Sequence, residues 1–374
     1  CVPWGYLAGW RPDGNVVVEP SLMLPDNFIA LRGMSNKRPP EPLSVMTPQF
    51  MPAKHSGIFL PGPKSILVLI TTMLTHGWGA VHVLAQADTW GKTITTQAEF
   101  RAASDVPESQ IALTREWYEV AASAWGNFGP LEFWIVGRDE QAARELDKRY
   151  CEIRKRKDPG ISFRPCLHRG HNFLSYARNG NAGLNTRRNE HEKWSGFIIT
   201  MSGKFPGPGE EDYKPVVLHE YFHVYQHAHI HSRNEAAREK LSRVNPWWGE
   251  GGAEYMAQLL YSRQEGVRPG YLREIMKRKL RSLKDLRRGE SIRDIPYGRR
   301  ARVAYDLGTW FIAFIISKSS ENAYRVRFFK DLNAEGFEGA FQKSFGQPSQ
   351  ELLDEFHDHF LNLDLEEMMK IIPT

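Results

Sequence analysis

The sequence predicts an α+β protein, with a small αβ part followed by a mainly helical one. Short apolar runs with the character of buried strands occur only in the first half of the globular region, LEFWIV at 131–136 and GFIITM at 196–201. From Asp212 onward apolar residues recur at helical spacing almost to the end. The composition, 41% hydrophobic and 25% charged with 11 Trp and 20 Phe, is that of a folded chain, and 374 residues suffice for two domains or one large one.

Residues 1–64 carry Pro39, Pro40, Pro42, Pro48, Pro52, Pro61 and Pro63 and no sustained period, so a disordered or spurious extension is expected there. Lys64 then precedes the apolar run Ile66, Leu67, Val68, Leu69, Ile70, and Ala85, Gln86 and Ala87 follow. This pattern reads as a signal peptide over 65–87, cleaved near Ala87, and implies a secreted or periplasmic protein. The alternative is a membrane anchor, against which His76, Gly77, Gly79 and His82 interrupt the run. Because a signal peptide opens a chain, Met34, Met46 and Met51 are candidate starts.

The remainder divides into an αβ part, 88–205, and a helical part, 206–374. Ile111, Leu113, Trp117, Val120, Ala121 and Trp125 predict a helix over Glu108–Trp125, stopped by Gly126. The strand at 131–136 closes at Gly137, and a charged helix runs from Asp139 to Lys157, before Asp158, Pro159 and Gly160. The polar stretch 171–192 reads as a long loop of the kind that carries function. After the strand at 196–201, helices are expected near 214–231, 248–264, 269–285, 301–317, 320–332 and 349–361.

Charge excludes little. The whole chain carries 49 Lys and Arg against 44 Asp and Glu, and residues 88–374 carry 43 against 40. That balance is too mild to imply a nucleic-acid partner. Thirteen Lys and Arg lie from Arg268 to Arg302, read as a solvated face, with contact to an anionic surface as the alternative. Cys151 and Cys166 are either a disulfide, which an exported chain can form, or two buried thiols. Without a Cys-x-x-Cys pair they are not a zinc site.

The chemistry concentrates at His219, Glu220 and His223, a His-Glu-x-x-His pattern inside the apolar segment Val216, Leu218, Phe222, Val224. Residues four apart share a helix face, so both imidazoles can meet one ion. Burying them there is costly unless they bind something. Glu220 is placed to act as general base. His229 is the rival third ligand by its spacing from His223. Its route back to the metal needs a glycine where this chain has Gln226, so His227, His229 and His231 read as a polar helix end, suited to imidazolium at the negative pole.

Trp247, Trp248, Gly249, Glu250 and Gly251 open the next helix, with 26 residues between His223 and Glu250. In this the chain resembles the gluzincins, the zincin-like metallopeptidases that include thermolysin-like and aminopeptidase-N-like enzymes. The resemblance covers about 196–262. It implies a zincin-like fold, a Zn2+ ion held by His219, His223 and Glu250, and Glu254 one turn on as an acid bonding a ligand imidazole, where the alternative is a surface glutamate. It also implies Tyr305 as the donor to the oxyanion, where the alternative is a core tyrosine, and the strand at 196–201 as the edge that aligns a peptide. The expected function is an exported zinc-dependent metallohydrolase, a peptidase acting on peptide or protein substrates. The alternatives are a non-catalytic binding protein on a degenerate zincin fold and a hydrolase of non-peptide amides or esters.

Overall fold

Period-two alternation builds the sheet. In a computed structural model of the chain, residues 89–374 are described apart from 170, 171, 243 and 244, together with a two-residue pairing of Ala8–Gly9 with Val17–Val18. The strands β1 (Glu99–Ala102), β2 (Leu131–Val136), β3 (Ala182–Arg187) and β4 (Gly196–Ser202) form one sheet in the order β1-β2-β4-β3. The first three in that order are parallel, and β3 lies antiparallel to β4 at the edge.

Phe133, Ile135, Phe197, Ile199 and Met201 point into one core, and Trp134, Val136 and Ile198 into another on the opposite face. Both faces are therefore covered, which is why β2 and β4 read as unbroken apolar runs. The second core is closed by α2 (Glu140–Lys157) and, after α3 (Phe163–Arg169), by α4 (Phe173–Asn179). Cys151 on α2 and Cys166 on α3 form a disulfide. Glu132, buried on β2, is matched by Arg154 and Lys157 of α2, so its charge does not stand alone in the core.

The first core continues into the helical half. Helix α1 (Glu108–Trp125) buries Gln110, Thr114, Trp117, Tyr118, Ala121 and Trp125 at three- and four-residue steps. Helix α5 (Tyr213–Ala228) is buried on nearly every side, packed by α1, the edge strand β3 and α7 (Pro246–Ser262). Between them lies the short α6 (Glu235–Ser242). Pro246 at the first turn of α7 gives up no helical hydrogen bond there.

Helix α7 also packs against α9 (Ala301–Lys318), and two glycines set how closely. A Cβ on Gly251 would lie 2.5 Å from the Gly308 carbonyl carbon, and one on Gly308 2.3 Å from the Trp247 oxygen. Backbone-to-backbone contact is possible only because neither residue carries a side chain. Helix α8 (Tyr271–Leu280) packs against both α9 and α7. A π-helical stretch, Ala323–Phe328, then α10 (Phe329–Phe345), α11 (Ser349–Asp358) and α12 (Leu365–Met369) complete the half.

Several expectations change. The stretch 171–192 is not one loop: it holds α4 and β3, joined through Gly180 and Asn181 in positive-φ conformations. The strand at 196–201 is interior, because β3 adds outside it, so the open edge belongs to β3. The helix expected over 269–285 ends at Leu280 and tightens into a 3₁₀ turn, Arg281–Asp285. The helix expected over 320–332 begins as the π-helical stretch and continues as α10 to Phe345. Residues 88–205 and 206–374, expected as two parts of one domain, lie in one compact unit. The signal peptide expected at 65–87 lies outside the described residues, and so does the extension 1–64 apart from the Ala8–Gly9 and Val17–Val18 pairing. Among the described residues no helix is long and apolar enough to cross a membrane.

Candidate metal centre

His219 and His223 stand one turn apart on α5, and their side chains are among the few on that helix that reach its open side, each about 12% exposed. Glu250 enters from the second turn of α7, carried there by the α5–α7 packing. The His219 and His223 Nε2 atoms lie 3.1 Å apart. Glu250 Oε2 lies 3.3 Å from the first and 3.1 Å from the second. Among the described residues these three form the one group of His, Cys, Asp and Glu placed to hold a metal ion.

This triangle fits zinc on its own geometry. Ligands about 2.0–2.1 Å from one tetrahedral ion stand roughly 3.3 Å from one another. Two imidazole nitrogens and a carboxylate oxygen are also a borderline donor set of the kind zinc takes, and three protein ligands leave a fourth position for water or substrate. Burial works against a charged His219, yet hydrogen bonds to Glu250 and Glu254 outweigh it and raise its pKa to about 10. Glu250 is held well below the ordinary carboxylate range, where burial is overcome by the two imidazoles.

Each ligand is oriented from behind. His219 Nδ1 meets Glu254 Oε2 at 3.1 Å, which leaves Nε2 for the ion. His223 Nδ1 meets Gln226 Oε1 at 2.8 Å, and the Gln226 amide donates onward to the Gly249 carbonyl at 2.9 Å. The Tyr297 hydroxyl donates to Glu250 Oε1 at 2.7 Å, so that only Oε2 faces the histidines. The Tyr305 phenol lies against the same carboxylate, and burial and the Glu250 charge push its pKa well up, as they do for Tyr297. A hydroxyl that stays protonated remains a donor.

Glu220 is buried beside the cluster, and burial raises its pKa against the pull of His219 and His223. The backbone N–H of Leu184 on β3 bonds the same carboxylate. This edge of the sheet thus meets Glu220 directly.

The structure brings His219, Glu220, His223, Glu250, Glu254 and Tyr305 together. His229 does not join them. It caps the end of α5, where its Nδ1 contacts the Tyr225 carbonyl at 2.7 Å and its ring packs against Phe128 and Phe329. The expected imidazolium at this helix end is also not found: burial, with Arg238 nearby, holds the His227 pKa well below its usual value, and burial lowers that of His229. Tyr297 and the orienting role of Gln226 were missed, since neither falls at a spacing that marks a ligand. No protein-family model, curated protein or solved structure matches the chain.

Proposed function

We propose that the chain is a zinc-dependent metallohydrolase of gluzincin type, acting on peptides. The observation that carries this reading is the triangle of His219 Nε2, His223 Nε2 and Glu250 Oε2 with edges of 3.1–3.3 Å, with Glu220 beside it. His219, His223 and Glu250 would hold the ion. Bound zinc would supply Lewis acidity, polarising the scissile carbonyl and acidifying a water molecule.

The remaining steps belong to the chain's own residues. Glu220 takes the proton from the attacking water and returns it to the leaving nitrogen, work for which a raised pKa is an advantage because it brings the group closer to working pH. Tyr305 offers a hydrogen bond where negative charge grows on the carbonyl oxygen. Tyr297 holds Oε1 of Glu250, so Oε2 is the oxygen that would be offered to the ion. An extended peptide adds to the outer edge of β3 by main-chain hydrogen bonds, which brings its carbonyl alongside Glu220. The Cys151–Cys166 disulfide supports an exported protein, since such bonds persist in oxidising compartments.

The test is Glu220→Gln, which keeps the shape of the side chain and removes the base. Peptide hydrolysis should fall by about 10²–10⁴-fold with zinc content unchanged. Stoichiometric zinc in a protein that cleaves no member of a peptide library, before or after the substitution, contradicts the proposal.

A further inference from the structure

Behind His219 the polar contacts do not stop at Glu254. Glu254 Oε2 faces the imidazole, while Oε1 accepts from the Lys279 ammonium at 2.8 Å and from Gln258 at 3.1 Å. Lys279 lies on α8 with only 7% of its surface exposed. Its ammonium also reaches Asp306 Oδ1 on α9 at 3.3 Å. Asp306 is braced in turn by Ser282 and by Arg302, whose Nε lies 3.3 Å from Oδ2. Tyr271 donates to Gln258 Oε1 at 2.8 Å and closes the cluster.

As stability alone this arrangement makes little sense. Taking a lysine and two carboxylates out of water costs several kcal/mol per ion, and an apolar side chain of equal length often serves the fold as well. Position 279 continues the apolar stripe of Leu272, Ile275 and Met276, where a methionine would pack without that cost. What the lysine does that a methionine cannot is join Glu254 on the third-ligand helix to Asp306 on the helix that carries Tyr305. It also occupies one oxygen of Glu254 so that the other stays turned toward His219.

We propose that Lys279 is a positioning residue for the metal centre, a buried cation that bridges Glu254 and Asp306 and so holds His219 aimed at the ion. The proposal rests on the zinc reading above. Its role passes through Glu254 and not through general packing, and this gives it a distinctive signature.

Zinc affinity of the purified full chain is measured by competition with a chromophoric chelator for the wild type, Lys279→Met, Glu254→Gln and the two combined. Lys279→Met should weaken zinc binding about tenfold or more. In the Glu254→Gln background the same change should cost nothing further, because its route to His219 is already cut. Wild-type affinity in Lys279→Met overturns the proposal, and so does an equal loss in both backgrounds, which marks a packing effect. If Lys279→Met does not fold, Lys279→Met with Asp306→Asn, which removes the cation and one anion together, is put through the same cycle. Failure of that variant to fold as well makes the bridge a folding element and overturns the positioning role. A wild type that binds no zinc removes the metal reading itself, an outcome distinct from all of these.

Discussion

His219 and His223 occupy one face of one helix, a turn apart, yet they are supported in opposite ways. Behind His219 stands a chain of buried charges running through Glu254 and Lys279 to Asp306. Behind His223 stands a neutral amide, Gln226, tied to a backbone carbonyl. A carboxylate makes its imidazole a stronger donor to a metal as well as orienting it, whereas an amide only orients. On the zinc reading proposed above, His219 would carry the electrostatic hold on the ion and His223 would complete its geometry.

Breaking the stronger side should cost most. Glu254→Gln keeps a hydrogen bond to Nδ1 but removes the charge, and zinc affinity should fall about 10–100-fold by chelator competition. Gln226→Leu removes the weaker support. It leaves His223 Nδ1 and the Gly249 carbonyl without their present partner, and a loss of about tenfold or less is expected in the same assay. Equal losses in the two variants would erase the proposed asymmetry. A third test concerns protons. In the metal-free protein the His219 pKa is raised to about 10, so below that pH a proton occupies the site that zinc must take. Zinc affinity should therefore climb as pH rises toward about 10 and level above it, with about one proton released per zinc at pH 8. Calorimetry in buffers of different ionisation enthalpy measures that number, and a value near zero would mean that His219 is not the protonated group.

How legible these features were in the sequence followed their physics. Helix α1 and strand β2 have the expected bounds because burial marks each in the sequence, as a helical period in α1 and as an unbroken apolar run in β2. Strand β3, AGLNTR, is half-exposed along most of its length and carries no apolar alternation, so it read as loop, although its edge is the one that meets Glu220. The candidate ligands were legible because a metal site would fix residue type and spacing together. Their supports are held by tertiary contacts alone, so Tyr297 had no sequence signature. Lys279 did have one, a lysine at the next core position after Leu272, Ile275 and Met276, where a solvated charge does not belong. Gln226 was noticed only as the residue that denies His229 a way back to the metal, and its bond to His223 explains its presence more directly.

The central claim is that one ion is shared by two helices. Crystals of the zinc-loaded protein, measured at the zinc absorption edge, test it most directly. A single strong anomalous peak about 2.0–2.2 Å from His219 Nε2, His223 Nε2 and Glu250 Oε2 is expected. A peak elsewhere, or one bound by the histidines with Glu250 turned away, would contradict it.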